Sequence, residues 1–164
     1  VAYITSKYSA EFGLRILNNI QVYLEASTVT SLAEIDASLN NFVEYRTPTP
    51  ITLNFPALFV SSAGQQLEQS DDDAYIKSNI EIYIDIAIDG IDAYTLQRSI
   101  LKYTLAVDRV LRTMAISDLI GATSNTVTEP VWEVTEHQFG ILRQNDTIYR
   151  TDSRIILNVQ LLER

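Results

Sequence analysis

The sequence contains no cysteine, which excludes disulfide bridges, thiolate metal sites and cysteine nucleophiles together. It has a single histidine, His137, so one chain cannot supply a multi-histidine metal centre. Basic residues are the minority: 12 Lys and Arg stand against 21 Asp and Glu, for a formal charge of −9. A chain of that sign repels nucleic acid on average, which argues against broad phosphate-backbone binding and leaves room only for a local basic patch. No apolar run approaches the roughly 20 residues with which a helix crosses a bilayer. The opening stretch VAYITSKYSAEFG has no continuous apolar segment of the signal-peptide kind. The five glycines form neither a phosphate loop nor a dinucleotide fingerprint, and no serine sits in a G-x-S-x-G elbow.

What is present is an ordinary globular composition. Of 164 residues, 46% are hydrophobic and 20% charged, enough to bury a core within a single domain spanning 1–164. From Glu11 to Leu24 the residues Phe12, Ile16, Ile20 and Tyr23 recur at helical spacing. SLAE at 31–34 has the form of a capping box and is expected to open a second amphipathic helix through Leu32, Ile35, Leu39, Phe42 and Val43. TPTP at 47–50 stops that helix and divides a helical part, 1–46, from an α/β core, 51–164.

The core opens on ALFVSS, read as a strand, followed by a polar loop AGQQLEQSDDD expected to be mobile over 63–74. Then comes the strongest pattern in the chain, NIEIYIDIAID at 79–89. Ile80, Ile82, Ile84, Ile86 and Ile88 point one way and Glu81, Tyr83, Asp85, Ala87 and Asp89 the other, and the phase extends back to Ile76. Fifteen residues is far beyond the roughly five or six of a typical strand. Asp92 is a candidate N-cap for a helix running to about Met114. GATSNTVTEP reads as loop, VWEVTEHQFGIL as strand, QND as a turn, and RIILNVQLL as a closing strand. The order α-α-β-β-α-β-β predicts an α+β fold, one sheet with a long β-hairpin packed by one main helix.

Candidate chemistry is thin. Glu81, Asp85 and Asp89 share a strand face, but steps of four residues separate them by roughly 13 Å. That exceeds the ~5–9.5 Å of glycosidase pairs, so a solvated or subunit-facing surface is the better reading. DDD at 71–73 offers oxygens to a hard cation yet lacks EF-hand spacing and reads as a loop tip. His137 has no second ligand beside it and reads as structural. No catalytic, cofactor-binding or metal-binding set emerges, and the chain reads as a non-enzyme.

The main helix says more. Leu96, Ile100, Tyr103, Val107, Leu111 and Met114 gather on one face, while Arg98, Lys102, Arg109 and Arg112 fall within about 80° of one another on the other. Leu101 and Leu105 lie in or beside that stripe, which suits an interface better than open water. The expected subunit interface is therefore Arg98, Lys102, Leu105, Arg109 and Arg112 on the helix, meeting Glu81, Tyr83 and Asp85 on the strand of a neighbour. One helix also covers only part of the long strand's isoleucine face, so a neighbouring copy is expected to cover the rest.

The ordered features NFPALFVSS, a polar loop, YIKSNIEIYIDIAI, DAYTLQRSILKYTLAVDRVLRTM after a D-G break, and the closing SRIILNVQLLER resemble the tail terminator, or tail-completion, proteins of long-tailed bacteriophages. The resemblance covers roughly 51–164. It implies an α+β structural virion protein without cofactor, assembled in the bacterial host cytoplasm as a hexameric ring. The ring caps the tail tube and joins it to the head connector in the neck, with the tail sheath as a further neighbour. DNA passes through it without specific binding, and no membrane is involved. Other neck or head–tail joining subunits share this fold and form the nearest alternative. A monomeric binding module using the nine tyrosines, or a small hydrolase using Glu81 or Asp85, are the alternatives from other classes.

Overall fold

The computed structural model describes residues 6–45, 54–69, 76–120 and 127–163. The elements in chain order are α1 (Ser6–Ile35), β1 (Ala57–Gln69), β2 (Ile76–Gly90), α2 (Ala93–Thr113), α3 (Ile116–Ile120), β3 (Val127–Phe139), β4 (Arg143–Asn145) and β5 (Ile148–Glu163). The fold is α+β. Five antiparallel strands form one sheet in the order β1-β2-β5-β3, with the short β4 paired to β5.

The length of β2 follows from its place in this order. It is an interior strand, paired with β1 from Ile76 to Ala87 and with β5 from Ile76 to Gly90, so its backbone donors and acceptors are met on both sides. Its even-numbered side chains face the helices, and Ile80, Ile82, Ile84, Ile86 and Ile88 are all buried. Across the ladder Ile155, Leu157, Val159 and Leu161 of β5 take the same side and are buried too. The alternation in sequence is thus read out directly as burial.

Helix α2 begins as expected, with Asp92 accepting from the backbone N–H groups of Tyr94 and Thr95 at 3.3 and 3.4 Å. It lays Leu96, Ile100, Tyr103, Val107 and Leu111 on the isoleucine face. A buried hydroxyl pair, Thr104 Oγ1 and Ser153 Oγ at 2.7 Å, pins it to β5.

Four expectations are corrected. The first is the helical hairpin before residue 46, which is one continuous 30-residue helix, α1. Ser31 is no N-cap: it is buried and donates through Oγ to the carbonyl of Ala106 on α2 at 2.7 Å. One turn earlier, the buried Thr28 shares a 2.9 Å hydrogen bond with the Tyr45 hydroxyl. Hydroxyls that would otherwise compete for the local backbone find partners on other elements, so the helix continues through them. It ends at Asp36, whose carboxylate accepts from Ser38 N and Ser38 Oγ in a turn. Leu39, Phe42 and Val43 consequently lie outside any helix. Phe42 is buried in an aromatic cluster with Tyr45 and Tyr103, while Val43 is exposed. TPTP lies outside the described residues.

Second, residues 63–69 belong to β1 rather than to a loop. A bulge between Ser62 and Gly64 absorbs the one irregularity, and pairing resumes from Gly64–Glu81 to Gln69–Ile76. The remainder of the expected loop, with DDD at 71–73, lies outside the described residues. Third, the isoleucine face from Ile80 to Ile88 is covered within the subunit. The N-terminal half of α1 runs over it, with Gly13 close to both Gln65 and Ile80, and Ile80 and Ile82 are fully buried within the subunit. Fourth, β3 starts at Val127, inside the stretch expected to be loop. Pro130 is accommodated there because β3 is an edge strand, its pairing with β5 interrupted between Thr128 and Val131. The short elements α3 and β4 had no sequence signal strong enough to anticipate.

Candidate subunit interface

Helices α1 and α2 pack on the isoleucine side of the sheet, and on the opposite face Ala57, Phe59 and Ile156 are buried while Glu81 is exposed and Tyr83 and Asp85 are half-buried. On β2 this face presents Glu81, Tyr83 and Asp85, as the alternation predicts. The register sets Asp85 between Phe59 of β1 and Arg154 of β5, Tyr83 between Ser61 and Ile156, and Glu81 between Gly64 and Asn158.

The three expected residues are brought together, with one that sequence reasoning missed. Arg154 donates from Nε to Asp85 Oδ1 at 2.7 Å and from Nη2 to Asp85 Oδ2 at 3.1 Å, a two-point fork. Its guanidinium also lies 4.1 Å from the centroid of the Tyr83 ring. The bond to Asp85 raises the Arg154 pKa above its ordinary value, with partial burial opposing. The Tyr83 pKa is raised as well, first because its hydroxyl bonds to the Glu81 carboxylate and then by partial desolvation. Asp85 therefore answers a cation of its own chain. The expectation that it awaits a neighbour's arginine does not describe this geometry.

Between the β1 bulge and β5 the same face carries a hollow of about 370 Å³, lined in part by Gly64, Gln66, Asn79, Glu81, Tyr83 and Asn158. Asn79 and Asn158 also escaped the sequence reading. Nothing in a single strand shows that Asn79 and Asn158 flank Glu81, because that depends on the β2–β5 register.

The basic stripe of α2 is real but unevenly committed. Lys102 is paired with Asp36 at the end of α1, and that bond holds the Asp36 carboxyl well below the usual carboxylate range. Arg112 donates to Asp108 at 2.8 Å, and Asp108 is also 3.1 Å from His137 Nε2. His137 thus reaches from β3 to Asp108 on α2. Arg98 lies against Tyr94 one turn earlier, its Nη1 3.2 Å from the hydroxyl. Arg109 has no partner among the described residues. Around these cations Tyr94, Leu101 and Leu105 are 65%, 54% and 44% exposed. They form a mixed apolar and cationic ridge on the side of α2 away from the sheet.

Among the described residues no group of three or more His, Cys, Asp or Glu is placed to hold a metal ion. No protein-family model matches the chain, and no curated protein matches its sequence. Among solved structures, a chain from a "Virion of native gene transfer agent (GTA) particle" overlaps it with a TM-score of 0.40 at 13% identity, over 85% of this chain and 94% of that chain. An overlap at that score and identity decides nothing about function, and the open sheet face and the α2 ridge carry the functional reading.

Proposed function

We propose that this chain is a non-enzymatic structural virion protein, a ring-forming tail terminator that caps a phage tail tube and joins it to the head connector. The observation that carries this reading is the placement of two recognition surfaces on opposite sides of one subunit. The sheet's open face presents the Glu81 carboxylate beside Tyr83, with Asp85 held by Arg154, and the α2 ridge is cationic and apolar at Arg98, Leu101, Leu105 and Arg109. Surfaces that complement each other from opposite sides join head to tail, and head-to-tail contacts close into rings when the rotation allows. Six copies, the number the tail-terminator resemblance implies, give such a ring.

The ordered likeness of strands and helix over 51–164 to tail terminators supports placing that ring in the neck of a virion. The net charge of −9 supports a lumen along which DNA slides without being held. The partners of the ring are then the tail tube on one side and the connector or sheath on the other, with assembly in the host cytoplasm.

The test is to add the purified protein to growing tail tubes and view them by negative-stain electron microscopy. A terminator is expected to sit as a cap at one tube end and to stop further lengthening. Tubes that lengthen unchanged, with no cap, contradict the assignment. Binding to the connector but not to the tube transfers it to another neck subunit.

A further inference from the structure

We propose that the hollow beside the β1 bulge is a receptor for the Arg109 side chain of a second copy of this chain. This rests on the ring reading and gives it a specific contact.

The receptor is built from three side chains that share the open face. Glu81 lies directly across the ladder from Asn158, and Asn79 is the next outward residue on the same strand. Asn79 Oδ1 and Asn158 Oδ1 are both buried and have no hydrogen-bond partner within the subunit among the described residues. Buried polar atoms are rarely left this way, and two acceptors flanking one carboxylate ask for a donor-rich cation. The Glu81 carboxylate is exposed, and the Tyr83 hydroxyl is its hydrogen-bond partner. A third buried unpaired atom, Gln65 Nε2, belongs to a side chain paired with Ile80 on the helix-covered side and is not offered to a neighbour.

The cation that fits is a guanidinium, planar and carrying five donors, which can span two amide oxygens and a carboxylate together. Arg154 is excluded because Asp85 and the Tyr83 ring hold it. On α2, Lys102 and Arg112 are committed to Asp36 and Asp108, and Arg98 lies against Tyr94. Arg109 has no partner among the described residues, with exposed Leu105 one turn away to seal the contact from water.

The subunit cannot make this contact with itself. Arg109 stands about 160° around the helix from Val107, which is fully buried toward the sheet. The hollow opens on the far side of that sheet. A second copy is therefore the occupant that charge and geometry select, and the contact is head to tail.

The chain has no cysteine, so engineered ones report without background. Arg109→Cys and Gln66→Cys in one chain, mildly oxidised, are expected to give a ladder of covalent multimers on a non-reducing gel that collapses on reduction. In parallel, Arg109→Glu and Glu81→Arg are each expected to raise the concentration needed for half-assembly at least about tenfold by light scattering. Combining them in one chain is expected to restore most of the loss. Circular dichroism confirms that each variant is folded. If the wild type assembles while Arg109→Glu assembles equally well and no disulfide ladder forms, this contact is wrong and the ring reading stands. If the wild type is monomeric at every concentration, the ring reading fails and takes the contact with it.

Discussion

Replacing Ile82 and Tyr83, adjacent residues on one strand, with alanine separates the two faces of the sheet. Ile82 is fully buried, among the larger side chains of the core, with Leu157 directly across the ladder. Its truncation removes three carbons, about 2.4 kcal/mol of transfer free energy at ~0.8 kcal/mol each. A partly relaxed cavity adds about 1 kcal/mol more, inside the ~2–5 kcal/mol range of such substitutions. For a domain of this length each kcal/mol moves the midpoint by about 2–4 °C, so Ile82→Ala is expected to lower Tm by about 7–14 °C. Tyr83→Ala loses the Arg154 stacking contact and one surface hydrogen bond to Glu81, but leaves the isoleucine core intact. It is expected to lower Tm by far less than Ile82→Ala does. Thermal melts followed by circular dichroism, on subunits diluted to the monomer, measure both. Equal losses for the two variants would refute the reasoning, because they would mean that both faces of β2 are buried within one subunit.

Three further outcomes follow from other parts of the molecule. Ser31→Ala removes the buried bond to the Ala106 carbonyl and is expected to cost about 1–3 kcal/mol in a urea titration while leaving helical content unchanged, since Ser31 is internal to α1; a fall in helicity would restore a two-helix N-terminus. Gly140→Ala is expected to destabilise by about 1–3 kcal/mol, because an added Cβ would meet the Asp152 carboxylate, and Asp152→Ala in the same chain is expected to recover most of the loss. The Asp36 carboxyl has a pKa depressed first by its bond to Lys102, so its contribution is present above the ordinary carboxylate pKa and is lost as pH falls through the depressed value. The stability gap between wild type and Asp36→Asn, measured by urea titration, is therefore expected to be full at pH 7 and to shrink below about pH 4; a gap that widens with acid would reverse the sign.

Where the sequence was legible, one residue pattern carried the structure. The β2 isoleucines, the Asp92 cap with its helix and the alternating β5 residues each encode their element locally, and each forms as expected. Where it was not, the deciding partner lay far along the chain. The Ala106 carbonyl that keeps α1 unbroken through Ser31 is 75 residues away, and Arg154, which claims Asp85, is 69 away. Residues 63–69 carry one large apolar residue, Leu67, so no alternation marks them as strand; they extend because β2 beside them extends. The candidate interface residues were proposed from exposure patterns on α2 and β2. Asn79, Asn158 and Arg154 joined them only once the register was known.

The central claim is that the open sheet face of one subunit receives the α2 ridge of the next until a ring closes. The molar mass of the purified wild-type protein, measured by light scattering across a hundredfold range of concentration, tests it most directly. A closed head-to-tail ring predicts one species of about six subunit masses at the upper concentrations, giving way to monomer on dilution. A single subunit mass throughout would contradict it, as would a mass that grows without limit as open filaments do.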